Sequence, residues 1–245
     1  MKVIVTKNYA ESCQVVAKQI ITQIKADPAS KLGLATGGTA EPIYPLLVKA
    51  YQEGQISFAN ISTVNLDEYI GLDPSAPQSY RNYMDGLLFN HIDIDKSRTY
   101  VPSGTNDIDA EIALFNEKLA ADRLIDIQLL GIGVSGHIGF NEPNEHLVAG
   151  VHIEHLDEST ITANSRFFSS SEEVPTMSIT MGVGDIMKAR SIVLIATGKN
   201  KAPAMKRLLM DDYITPAVPA TVLKMHADAT IVIDQELANE IGFVY

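Results

Sequence analysis

The chain is short of cysteine, tryptophan and positive charge, and each shortage removes a class of protein. Cys13 is its single cysteine, so no disulfide can close within the chain and no thiolate cluster can hold a metal. That usage fits a cytoplasmic setting, with Cys13 read as a small buried apolar residue on the first helix. Basic residues number 19 against 30 acidic ones, a net charge of −11. A nucleic-acid partner needs a basic face to neutralise phosphates, and this balance opposes one. A small phosphorylated ligand needs only a few donors and stays open. No uncharged stretch approaches the ~18 apolar residues of a membrane span. Val3-Ile4-Val5, set between Lys2 and Lys7, is too short for the core of a signal peptide. The expectation is a soluble cytoplasmic protein with neither a membrane nor a nucleic-acid partner.

What is present is ordinary globular material. At 245 residues and 46% hydrophobic, the chain can bury a full core without metals or disulfides. Short apolar runs alternate with helical patterns: Val3–Val5 then 10–25, Leu32–Ala35 then 41–53, Ser62–Leu66 then 79–90, and Tyr100–Val101 then 107–123. Ile125–Leu130 follows, and later Ser191–Ala196 precedes 201–210 and Thr230–Ile233 precedes 236–241. Strands alternating with helices predict an α/β fold: an open, mainly parallel sheet with helices on both faces. No long linker, charge block or repeat divides the chain, so 1–245 reads as one domain. Residues 144–175 break the rhythm with polar, β-branched and small residues in no clean period. Such a segment reads as a lid or, equally on composition, as a surface excursion.

Open α/β sheets keep ligands at the carboxyl ends of their strands, and four such junctions carry chemistry. Thr36-Gly37-Gly38-Thr39 follows Leu32–Ala35; its glycines let backbone amides approach an anion, and the two hydroxyls can donate to phosphate. A Gly-Gly turn is also a plain structural turn. Lys201, in TGKNK after Ile192–Ala196, falls where a following helix begins, a position that opposes the helix dipole unless an anion sits there. In Asn65-Leu66-Asp67-Glu68-Tyr69 the two acids point to opposite sides of an extended chain. At most one faces a cleft, where burial would raise its pKa toward that of a base; the other reading is a helix cap or a solvated acid.

The fourth junction, GIGVSGHIGFNEP from Gly131 to Pro143, sets His137 five residues before Glu142. It contains G-x-G-x-x-G in Gly131, Gly133 and Gly136, but Asn141-Glu142-Pro143 would interrupt the helix a dinucleotide fold requires there. His146, His152 and His155 add metal-ligand types without a metal-ligand spacing. No cofactor and no metal are expected. An acid/base pair fits: a histidine titrating near neutrality, oriented by a carboxylate.

Taken in order, LATGGT, NLDEY, GIGVSGHIGFNEP, NSRFF and TGKNKA resemble the glucosamine-6-phosphate deaminase family over nearly the whole chain. The resemblance implies a modified Rossmann-like sheet without a nucleotide, acting on a sugar phosphate. The implied reaction is the isomerising hydrolysis of the C–N bond of D-glucosamine 6-phosphate, giving D-fructose 6-phosphate and ammonia. It casts Asp67 as the base that moves the C2 proton to C1, His137 as the ring-opening acid/base, and Glu142 as its partner. It casts Thr36, Gly37, Gly38, Thr39, Arg166 and Lys201 as phosphate ligands, with Arg166 on a lid.

Two departures stand out. Many members carry an acid two positions before the histidine; here Ser135 stands there, which predicts a two-member His137–Glu142 relay. Regulated hexameric members bind N-acetylglucosamine 6-phosphate through Ser, Arg and Lys after the FNEP motif, where this chain has Glu145, His152 and Glu154. That predicts an unregulated, monomeric enzyme. The rival readings are a 6-phosphogluconolactonase-like hydrolase and a sugar-phosphate-sensing regulator domain.

Overall fold

The computed structural model describes residues 1–244 apart from 122, 169, 171 and 172. The chain opens with β1 (Lys2–Thr6) and α1 (Tyr9–Ala26). Asn8 caps α1 by accepting the Glu11 N–H, and Glu11 accepts the Lys7 N–H in return, so the helix start is closed from both sides. Its inner face repeats at helical spacing through Cys13, Val16, Ala17, Ile20 and Ile24, all buried. Truncating one of these, Ile20 for example, is expected to cost about 2–5 kcal/mol.

Then come β2 (Lys31–Leu34), α2 (Ile43–Gln52), β3 (Ser62–Asn65), β4 (Asp67–Tyr69), α3 (Tyr80–Leu87), β5 (Thr99–Tyr100), α4 (Ile108–Ala120) and β6 (Ile127–Leu130). The second half holds β7 (His152–His155), α5 (Glu158–Asn164), β8 (Met177–Thr180), α6 (Val183–Ile186), β9 (Ser191–Ala196), α7 (Ala202–Met210), β10 (Ala229–Asp234) and α8 (Gln235–Ile241).

Seven strands form a wholly parallel sheet in the order β1-β10-β9-β6-β2-β3-β5. Helices cover both of its faces, so its central strands read as near-continuous apolar runs; β6 and β10 are buried along their whole length. The chain runs outward from β2 through β3 to β5, then returns to place β6 on the other side of β2 and continues through β9 to β10. The direction of winding reverses between β2 and β6, and a crevice opens at such a point.

A second sheet, β4-β8-β7, is antiparallel and was not legible as strands. Its segments are three or four residues long and mostly polar, DEY, HIEH and MSIT, which gives no alternating pattern to read. The expected irregular stretch 144–175 therefore contains a strand and the helix α5, and three of its positions, 169, 171 and 172, lie outside the described residues.

Helix boundaries moved for local reasons. α2 starts at Ile43 instead of 41 because Pro42 sits at its cap, and the expected 79–90 helix stops at Leu87, continuing as a 3-10 turn from Phe89 to His91. The helix expected over 107–123 ends at Ala120; position 122 lies outside the described residues. Among the described residues no helix is long and apolar enough to cross a membrane, and Cys13 is buried in the core.

Candidate active site

The four adjacent strands β9, β6, β2 and β3 straddle the winding reversal, and the four predicted junctions at their carboxyl ends meet around a cavity of about 150 Å³. Thr36, Gly37, Gly38 and Thr39 line it from β2, and Asp67 from beyond β3. His137 lines it from the loop after β6, Lys201 from the turn after β9, and Arg166 from the segment after α5. Residues spread over 166 positions of sequence thus share one crevice.

The anion loop is held by three tyrosines that no motif announces. Tyr9 donates to the carbonyls of Gly38 (2.8 Å) and Thr39 (3.1 Å), Tyr83 to that of Gly37 (3.2 Å), and Tyr44 to that of Ala35. With its carbonyls pinned by protein hydroxyls, the loop is left with its amide side for an anion. Gly37 adopts φ +94°, a left-handed conformation that suits glycine. At Gly38 a β-carbon would stand 3.3 Å from Arg166 Nη2, so the guanidinium lies directly over the loop.

Lys201 precedes α7 as its cap residue rather than lying in its first turn. Burial and the neighbouring Arg166 charge lower its pKa to about 8. Among the described residues no carboxylate pairs with either cation, so the two form a site that an anion would stabilise.

Asp67 and Glu68 point to opposite sides. Glu68 is fully committed to structure: its Oε2 accepts the N–H groups of Tyr80 (2.8 Å) and Arg81 (3.2 Å) at the start of α3, and its Oε1 accepts that of Tyr69. Asp67 faces the cavity, is 7% exposed, and among the described residues receives no hydrogen bond from a side chain or amide. Burial and, secondarily, the Glu68 charge raise its pKa to about 8. A carboxylate so poorly solvated is a strong base once ionised.

His137 Nδ1 lies 2.9 Å from Glu142 Oε2 and 3.1 Å from Ser135 Oγ. Ser135 Oγ also donates to Glu142 Oε2 at 3.3 Å. Glu142 and Ser135 stand behind the ring and do not line the cavity. Burial alone would raise Glu142, but the hydrogen bond and charge of His137, with the hydroxyls of Thr160 and Ser135, outweigh it and hold the carboxyl low. An Nδ1 proton pointed at Glu142 leaves Nε2 as the atom able to exchange a proton with a ligand.

The relay is larger than the expected pair. Ser135 bridges its two members, and Thr160 of α5 donates to the second carboxylate oxygen of Glu142 at 2.5 Å. Sequence offered no signal for Thr160 because its partner lies 18 positions away, across a segment without periodicity.

The glycines read as a possible dinucleotide fingerprint serve this loop. No helix opens at Gly136; the chain turns instead into a bridge between Ile138 and Asn141. His146, His152 and His155 do not line the cavity, and His152 bonds Glu154 and the Gly150 carbonyl. Among the described residues no three His, Cys, Asp or Glu side chains gather as a metal site.

The family model described as glucosamine-6-phosphate isomerases/6-phosphogluconolactonase matches residues 6–232. The chain belongs to this family. It is similar to a glucosamine-6-phosphate deaminase of Thermoanaerobacter pseudethanolicus, 50% identical over 98% of this chain and 94% of that one. A second, from Clostridium perfringens, is 47% identical over 98% of this chain and 99% of that one. Among solved structures, one described as a monomeric glucosamine-6-phosphate deaminase superposes with a TM-score of 0.95 at 42% identity, covering 98% of this chain and all of that one. A 6-phosphogluconolactonase from Trypanosoma cruzi shares the fold, with a TM-score of 0.77 at 21% identity over 97% of this chain and 96% of that one. Within the family, the chain stands far nearer the deaminases than the lactonases.

Proposed function

We propose that the protein is an isomerising glucosamine-6-phosphate deaminase, converting D-glucosamine 6-phosphate and water to D-fructose 6-phosphate and ammonia. The observation that carries this reading is Asp67: a buried carboxylate that receives no hydrogen bond among the described residues, facing the same cavity as His137. Activating water for lactone hydrolysis would need the histidine and not this second base.

In this account the phosphate rests on Thr36 to Thr39, Arg166 and Lys201, and the sugar extends toward His137 and Asp67. His137 Nε2 moves the proton between the anomeric hydroxyl and the ring oxygen, which opens the pyranose to the aldehyde. The C2 hydrogen is acidic only in that open form. Asp67, ionised, takes it, leaving an enolamine, and returns it to C1. The ketimine at C2 then adds water and expels ammonia. Asp67 suits the second task because its charge is desolvated, and His137 suits the first because Glu142 stabilises its protonated form. Anchoring the phosphate fixes both reacting carbons, which contributes on the order of 7 kcal/mol at best.

The proposal extends to regulation: a monomeric cytoplasmic enzyme with hyperbolic kinetics. Glu154 and Asp185 both act on His152, and Glu145 is exposed nearby in sequence, so the stretch that would receive an effector phosphate carries carboxylates. The segment 144–175, which includes Arg166, acts as the lid over the phosphate. Ammonia release from glucosamine 6-phosphate, measured with and without N-acetylglucosamine 6-phosphate, tests the reading. Hyperbolic release indifferent to the second sugar is expected; a sigmoidal curve sharpened by it would overturn the regulatory part.

A further inference from the structure

Thr160 is buried to 3% exposure and belongs to none of the glycine-rich or acidic motifs. Its Oγ1 donates to Glu142 Oε1 at 2.5 Å and lies 3.4 Å from His137 Nδ1. A carboxylate only accepts, so the threonine proton must point at Glu142. Hydrogen bonds to an ionised carboxylate are about twice as strong as neutral ones. The same helix, α5, runs on to Asn164 at the cavity wall and to Arg166 in the following 3-10 turn (Ser165–Phe167). One short element therefore carries a donor for the acid/base pair near its start and the phosphate cation just past its end.

We propose that Thr160 is a positioning residue that holds the Glu142 carboxylate in register with His137 and makes that register depend on α5 being seated. Each oxygen of Glu142 has a separate anchor: Oε2 takes His137 and Ser135 from its own loop, and Oε1, among the described residues, takes Thr160 alone. Asp157 at the cap of α5 feels the charge of both members of the pair. With α5 displaced, Oε1 would face a buried site without a donor, and the carboxylate would lose its hold on the Nδ1 proton. Ring opening is then competent only while the segment bearing Arg166 is in place, which joins phosphate capture to proton transfer through a single hydroxyl. The link to turnover rests on the deaminase reading; the link to the titration of Glu142 does not.

Two variants separate the hydroxyl from the packing. Thr160→Val keeps the volume and removes the donor, and Thr160→Ser keeps the donor and removes a methyl. The Glu142 carboxyl is followed by carbon-13 NMR in the ligand-free protein, and kcat and KM are followed against pH with glucosamine 6-phosphate. Val is expected to raise the pH at which Glu142 titrates by about one to two units and to lower kcat at the pH optimum by about 10-fold with KM little changed. Ser should leave both near their original values. A Val variant that titrates like the parent protein, or a Ser variant that shifts as far as Val, overturns the assignment. An unaltered protein that releases no ammonia removes the deaminase reading alone, since the NMR titration needs no turnover.

Discussion

The imidazole of His137 occupies the space that a side chain on Gly133 would need. A β-carbon built on Gly133 stands 2.3 Å from both Cε1 and Nε2 of the ring. Glycine at 133 thus lets the His137 ring pack against bare backbone at the wall of the cavity. Gly133→Ala is expected to push the ring off Glu142 and lower kcat by about 100-fold, in line with the cost of small misplacements in a reacting pair. Thermal unfolding should move by only a few degrees. Full activity in the alanine variant would contradict the packing.

The pH dependence follows from two groups shifted toward each other. The proposed mechanism needs Asp67 ionised, so activity should rise as pH climbs through about 8. It needs Lys201 charged to hold phosphate, so kcat/KM should fall as pH climbs through about 8. The product is a narrow bell centred near that value. Lys201→Arg keeps its charge at any working pH and should extend the alkaline limb upward. An unchanged alkaline limb would remove Lys201 from the account.

Asp67 also costs stability. Its folded pKa, about 8, lies above the roughly 3.9 of an unfolded chain. The folded state therefore holds a proton that the unfolded state releases, and stability from this group falls as pH rises between those values. Above about 8 the loss is complete. Asp67→Asn abolishes that dependence, so the variant should gain on the order of 1–3 kcal/mol relative to the parent between pH 5 and 8. Deamination should fall at least 10³-fold while inorganic phosphate still binds. Denaturant titrations across that range, with an ammonia assay, check both halves.

Much of this arrangement was readable in the sequence because parallel strands leave a strong imprint. β9 and β10 are buried on both faces and appear as unbroken apolar runs, and the four junctions after β2, β3, β6 and β9 carry glycines, acids and a histidine at turns. The antiparallel β4-β8-β7 sheet left no such imprint, since three polar residues such as Asp67-Glu68-Tyr69 have no period to detect. The second sphere of the site was hidden for a different reason. Tyr9, Tyr83 and Thr160 act across 29, 46 and 18 positions, respectively. Contacts at that range depend on topology, which spacing does not encode. The orientation of Asp67 and Glu68 was legible, because strand alternation is local.

Ser135 is where charge is missing from the relay. Its hydroxyl touches both His137 and Glu142 but carries no charge to stabilise an imidazolium. Ser135→Asp would set a second carboxylate beside Nδ1, where its charge favours the protonated ring. The pH–rate profile of the variant should move upward. A superimposable profile would show that the serine position is electrostatically silent.

The central claim is that this cavity moves a proton between two carbons of an amino sugar phosphate. Parallel assays on glucosamine 6-phosphate and on 6-phosphogluconolactone test it most directly, with ammonia, fructose 6-phosphate and free acid measured in each. The account predicts ammonia and fructose 6-phosphate in equal amounts from the first substrate and no enzyme-dependent hydrolysis of the second. Lactone hydrolysis without ammonia release would contradict it.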